Sequence, residues 1–97
     1  MTRDYSTMAY LLAHFLTLDS GNIRLNNGDN KVVAYKASRF MKEANISHCR
    51  ASRRKHDLIK ALIEIDIVDK IEPRVEELRK IKPAMFDDVQ IRVHLKK

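Results

Sequence analysis

Residues 44–65, ANISHCRASRRKHDLIKALIEI, decide how this chain is read. The first four, Ala44-Asn45-Ile46-Ser47, make a tight break. Asparagine tolerates the left-handed conformation that ends a helix, and serine is a good N-cap for the next one. Ile46, an apolar residue in a turn, is expected to plug the angle between two helices. A helix over about 48–63 follows. At about 100° per residue, Ala51, Leu58, Leu62 and Ile65 share one face, flanked by Ile59 and Ala61. Leu62, at the centre of that face, is expected to be almost fully buried. Cys49, Ser52, Arg53, His56 and Lys60 lie opposite, with Arg50 and Asp57 to one side. The positive charge of this segment is therefore gathered on the face turned from the core, near its N-terminal end.

Working backwards, a helix is predicted from about Lys31 to Ala44, capped by Asp29 or Asn30. Val33, Ala37, Phe40, Met41 and Ala44 form its inner face, with Lys36, Arg39 and Glu43 pointing out. Before it, Ile23 and Leu25 alternate around Arg24 ahead of an Asn-Gly turn, which suggests a short extra strand. Residues 5–18 read as a first helix with a stripe of Met8, Leu11, Leu12, Phe15 and Leu18, capped by Asp4 or Ser6 and stopped at Asp19-Ser20-Gly21. Met8, Met41 and Met85 read as core filling.

Working forwards, the period changes from 3.6 to 2. Ile65, Ile67, Val68 and Ile71 suggest a strand before Pro73, over about 65–72. Residues 88–96 hold a second strand, with Val89, Ile91, Val93 and Leu95 inward and Gln90, Arg92, His94 and Lys96 outward. Pro73 is well placed to open a helical turn in the connection, with Val75 and Leu78 on one side of it.

The balance of the whole chain agrees with a basic surface. Ninety-seven residues suit one domain spanning 1–97, and a formal net charge of +6 favours an anionic partner. No apolar run reaches the roughly 18 residues of a membrane span, and nothing has the form of a secretory signal. The single cysteine, Cys49, excludes an internal disulfide and suits a reducing compartment. The expectation is a cytoplasmic, nucleoid-associated protein with no membrane partner and no cofactor.

Two helices joined by a short turn, the second basic, form the helix-turn-helix unit, here over about 31–63. With the strands that follow, the stretches KVVAYKASRFMKEANISHCRASRRKHDLIKALIEIDIVDKI and VQIRVHLKK make the chain resemble the winged helix-turn-helix family of DNA-binding domains. In size and composition it looks like an archaeal or archaeal-virus regulator. The resemblance implies an α+β fold of three helices with a C-terminal two-stranded β-hairpin as the wing. It also implies a double-stranded DNA-binding protein, a transcriptional regulator that inserts helix 48–63 in the major groove and works as a homodimer on paired half-sites.

The chemistry fits that role. Arginine pairs in two-pronged fashion with guanine O6 and N7 in a groove that admits one helix. Arg50, Ser52, Arg53 and His56 are the candidates for base or groove contacts. Lys36, Arg39, Arg54, Lys55, Lys60, Arg79, Lys80 and Lys82 are the candidates for phosphate, Arg54 and Lys55 by laying their stems over apolar surface. The connection is longer than a simple wing. Around Val75, Leu78 and Phe86 it is a candidate dimer surface, as is the first helix.

Other chemistries find less support. Cys49 and His56 stand two helical turns apart, about 10 Å, too far to share a zinc ion with His48. His14, His94, Asp87 and Asp88 lack a nucleophile-base pair or a glycine-rich phosphate loop, so no enzyme is expected. Two other classes stay open: a sequence-neutral chromosomal DNA-binding protein, and a protein-interaction subunit of replication or transcription machinery whose basic face meets an acidic partner. RNA is disfavoured, because the three tyrosines and three phenylalanines form no stacking platform in sequence.

Overall fold

The computed structural model describes residues 5–20 and 31–96. The suggested strand around Ile23–Leu25 and the suggested caps Asp4, Asp29 and Asn30 lie outside them. Helix α1 spans Tyr5–Ser20. Its buried stripe is Met8, Ala9, Leu12 and Leu16, while Leu18, expected inside, is 62% exposed. The spacing of four between Met8, Leu12 and Leu16 holds the stripe on one line, and Leu18 falls off it.

Residues 31–36 are a strand, β1 (Lys31–Lys36), and not the first turns of a helix. Val32, Val33 and Tyr35 are residue types that pack well on a pleated surface. The predicted helix therefore starts only at Ala37, as α2 (Ala37–Glu43). Its first amides have no partner within the helix. Those of Ala37 and Ser38 donate to the carbonyls of Val89 (2.8 Å) and Asp87 (3.0 Å).

The end of α2 is a Schellman motif. Asn45 takes φ 61°, the left-handed conformation expected of it. The Ile46 amide donates to Met41 O at 3.0 Å, and the Asn45 amide to Lys42 O at 3.1 Å. Ile46 and Met41 are both buried, the apolar contact that accompanies this motif. The expected plug is in place.

Helix α3 spans Ala51–Glu64, beginning later than the predicted 48. Residues 44–50 form a longer turn than a simple helix-turn-helix break. Ser47 does not cap it: the N-cap is Arg50, extended at φ −62° and ψ 154°, with no side-chain cap. Leu58, Ile59, Ala61, Leu62 and Ile65 are buried, Leu62 to 1%, as its place on the inward face required. Ala51 is only half-buried.

After α3 come β2 (Val68–Glu72), α4 (Val75–Lys80), α5 (Pro83–Phe86) and β3 (Gln90–Leu95). Both strands are shorter than the predicted 65–72 and 88–96. Ile65 ends the helix instead, and Ile67 lies exposed in the turn before β2. β2 and β3 pair antiparallel, Ile71 opposite Val93 and Glu72 opposite Arg92. β3 also pairs antiparallel with β1, Val33 opposite Val93, so the order is β1-β3-β2.

The result is an α+β fold with five helices and a three-stranded antiparallel sheet among the described residues, where three helices and a two-stranded hairpin were predicted. On β3, Ile91, Val93 and Leu95 face the core while Gln90 and Arg92 face out. On the outer face His94 Nε2 meets Glu72 Oε1 at 2.5 Å. The His94 hydrogen bond holds the Glu72 carboxyl below the usual carboxylate range. Partial desolvation opposes this, and the charges of His94, Lys70 and Arg92 assist it.

The connection 73–89 contributes to the core. Leu78 and Phe86 are fully buried, so neither supplies a dimer surface, and Met85, expected inside, is 64% exposed. Glu76 and Glu77 sit in the first turn of α4, and Arg79 and Lys80 in its last, the favourable placement for the helix dipole. Pro83 opens α5, where its missing amide costs no hydrogen bond. No helix among the described residues is long and apolar enough to cross a membrane.

Candidate nucleic-acid interface

The exposed side of α3 begins at its N-cap, Arg50, and continues through Ser52, Arg53, His56 and Lys60, all exposed. Successive steps of three or four residues place Ser52 or Arg53, His56 and Lys60 on a single ridge. Behind them Leu58 and Leu62 are sunk in the core, which fixes the helix rotation. The helix's N-terminal amides add partial positive charge at the same end.

Asp57, the acid nearest the ridge, was expected at one side of it. It is instead 0% exposed. Its Oδ2 lies 3.8 Å from Arg53 Nε, so a buried carboxylate holds the root of an exposed guanidinium. With its side chain 47% exposed, Arg53 still reaches the surface, and arginine is the residue type that can grip guanine O6 and N7. A carboxylate removed from water needs such a partner, because burial of a lone charge is costly.

Two of the residues expected to reach phosphate turn inward. Arg54 Nη2 donates to Asp87 Oδ2 at 2.7 Å, and Nη1 donates to the Cys49 carbonyl, with the side chain only 20% exposed. Lys55 Nζ donates to the carbonyls of Arg79 (2.6 Å) and Ile81 (2.5 Å), at the end of α4. Those carbonyls are among the last of a helix, which lack intrahelical partners and favour a cation. Arg54 and Lys55 therefore tie α3 to the connection, contacts that the sequence reading of them as phosphate candidates did not include.

Lys36 and Arg39 are also engaged, though at the surface. Lys36 Nζ is 4.0 Å from Asp88 Oδ1 with both side chains well exposed, an arrangement of little energetic weight. Arg39 Nε donates to Glu43 Oε2 at 3.0 Å, and its guanidinium carbon lies 5.1 Å from the Phe15 ring centre and 4.9 Å from that of Tyr35. It lies over the adjacent Phe15 and Tyr35 rings, whose centres are 5.6 Å apart, a contact that planar arginine makes better than lysine. Arg79, Lys80 and Lys82 remain exposed on and after α4.

Tyr5 and the groove beside α3 were not legible in the sequence. The Tyr5 ring meets His56 edge-on at 6.3 Å, and Lys60 Nζ stands 5.7 Å from its centre, so the start of α1 borders the ridge. On the other side a groove of about 500 Å³ separates α3 from α4 and α5. Ser52, Lys55, His56, Ile59, Lys60, Arg79 and Pro83 line it. Arg79, remote in sequence, is thus brought against the basic ridge, because Lys55 pins its carbonyl.

Among the described residues no group of three or more His, Cys, Asp or Glu side chains is placed to hold a metal ion. Compared with protein-family models, with curated proteins and with solved structures, the chain matches none.

Proposed function

We propose that this chain is a double-stranded DNA-binding protein of the winged-helix type, a transcriptional regulator that lays the exposed ridge of α3 in the major groove. The observation that carries the reading is that ridge. Ser52, Arg53, His56 and Lys60 are exposed on the side turned from the buried Leu58 and Leu62, with Arg50 exposed at the N-cap, while Asp57 is withdrawn beneath them. The element order is compatible with it: α1, β1, α2, a turn, α3, β2, the short helices α4 and α5, and β3, with β2 and β3 antiparallel. In this reading Arg53 and Ser52 meet base edges, and Lys60, Arg79, Lys80 and Lys82 meet phosphates. The protein acts in the cytoplasm as a homodimer, because one helix spans too few base pairs for strong selectivity. With Leu78 and Phe86 inside the fold, the outward side of α1, bearing the exposed Tyr10 and Leu18, is our candidate surface for pairing.

Binding to random-sequence duplex across a salt series, followed by selection of preferred sites, tests the proposal. A preferred site bound roughly 10³-fold or more above random duplex is the expected result. Uniform binding with a steep salt slope would assign the chain to sequence-neutral chromosomal proteins instead. Weak binding that vanishes at moderate salt would favour an acidic protein partner.

Arg53→Ala sharpens the test. It should weaken binding to the preferred site by about 1–3 kcal/mol and relax selectivity at one base pair. An equal loss on every duplex would mean that Arg53 touches phosphate only.

A further inference from the structure

We propose that the groove between α3 and the α4–α5 connection is a binding site for a small organic anion, one negative group carried on a flat apolar body. Its volume, about 500 Å³, lies within the range of small-molecule sites, about 300–1,000 Å³. Four basic side chains line it from two elements: Lys55, His56 and Lys60 from α3 and Arg79 from α4. No carboxylate stands among the described residues that line it. Such a set is complementary to an anion and repels a cation.

Two further observations separate this groove from a plain run of surface charge. Its walls are tied together, since Lys55 Nζ donates to the carbonyls of Arg79 and Ile81. An ammonium has three protons, so this anchoring leaves Lys55 one more to give. The cationic set is thus partly preorganised, which lowers the cost of binding. The groove also has apolar lining, Ile59 and Pro83, together with the aliphatic stems of the lysines. A bare phosphate has no use for that surface, whereas an aromatic or aliphatic body covers it.

His56 and Lys60 belong both to the groove and to the ridge of α3. An anion bound here therefore competes with duplex, a consequence that rests on the DNA reading. The binding site itself does not depend on it.

Titration of the ¹⁵N-labelled chain with 2-naphthoate, 2-naphthyl phosphate, neutral 2-naphthalenemethanol and inorganic phosphate, in the absence of DNA, tests the site. Saturable shifts at the amides of Ser52, His56, Lys60 and Arg79 are expected from the two aromatic anions. Lys60→Gln and Arg79→Gln, both at exposed positions, should each weaken that binding about tenfold, the effect of losing one charge-assisted contact in a water-exposed site. Unchanged resonances elsewhere would verify their folds. Absence of saturable shifts from both aromatic anions would overturn the proposal. So would equal affinity for inorganic phosphate, which marks a simple phosphate subsite, or for the neutral alcohol, which marks apolar docking alone. A chain that binds the aromatic anions but no duplex would remove the DNA reading and leave this site standing. One that binds duplex but neither aromatic anion would do the reverse.

Discussion

Phe86→Ala is expected to lower the unfolding free energy by about 3–5 kcal/mol, the cost of emptying an aromatic site in a close-packed core. Against a total of about 5–15 kcal/mol for a domain, that brings the chain near its threshold for folding. Phe86 is fully buried although it lies in a four-residue helix inside what reads as a long loop. The segment it anchors holds several other elements in place. Its carbonyl accepts from the Val89 amide, the Val89 and Asp87 carbonyls receive the first amides of α2, and the Asp87 carboxylate receives Arg54. Emptying the Phe86 site should therefore loosen the start of α2 and the ridge helix together. Urea denaturation followed by circular dichroism measures the loss. A change below about 0.5 kcal/mol, the level of an ordinary surface substitution, would mean that the connection is not part of the core.

The placement of that connection depends on partners far away in the chain, which is why the sequence leaves it open. Arg54 and Asp87 are 33 positions apart, and Lys55 reaches carbonyls 24 and 26 positions on. A helical wheel places both basic residues at the core boundary, where they are. It cannot say whether a boundary cation turns out to a phosphate or in to a carbonyl. Asp57 is a partial exception, because Arg53 four positions earlier is a signal for an ion pair. That the carboxylate would be wholly buried is a tertiary fact.

The features that could be read were those with local causes. The Asn45 turn, the Ile46 plug, the inward face of α3 and the alternation of β3 each follow from one residue's conformational preference or one period of apolar residues. β1 shows the limit of that approach. Val33, Ala37, Phe40, Met41 and Ala44 are all buried, as the helical pattern requires, yet Val33 belongs to a strand. A strand running into a helix can bury the same residues as one continuous helix. Pairing with β3, from Lys31 opposite Leu95 to Lys36 opposite Gln90, settled the competition. The β-branched pair Val32-Val33 and the aromatic Tyr35 were the local signal, weaker than the tertiary pairing. Leu18 and Met85 make the complementary point, since an apolar residue at the surface is ordinary and only its neighbours decide.

The same distinction between the exposed and the committed cations gives the second large effect. Replacing Arg50, Arg53 and Lys60 together by glutamine should lower duplex affinity roughly 100-fold, about 3 kcal/mol at about 1.4 kcal/mol per factor of ten. If Arg50 and Lys60 each neutralise one phosphate while Arg53 meets a base edge, the slope of log affinity against log salt should fall by about 1.8 units, at about 0.9 per contact. Arg50 and Lys60 are exposed and should each leave the unfolding free energy within about 0.5 kcal/mol of the parent, whereas Arg53→Gln also removes a partner of the buried Asp57 carboxylate and should lower stability by more than that. Arg54→Gln removes the same kind of charge from the same helix, four positions from Arg50 and next to Arg53. Its guanidinium is bound to Asp87 and to the Cys49 carbonyl, so its loss should appear in denaturation, with the salt slope unchanged. The comparison separates position from charge. If net charge alone drove binding, Arg54→Gln would lower the slope by one third as much as the triple substitution. Should it do so while stability holds, Arg54 would be a phosphate contact after all, and its inward contacts would not persist in the bound protein. Should the triple substitution leave both affinity and slope unchanged, the ridge of α3 would not be the surface that meets DNA, and the basic face would need an acidic protein partner.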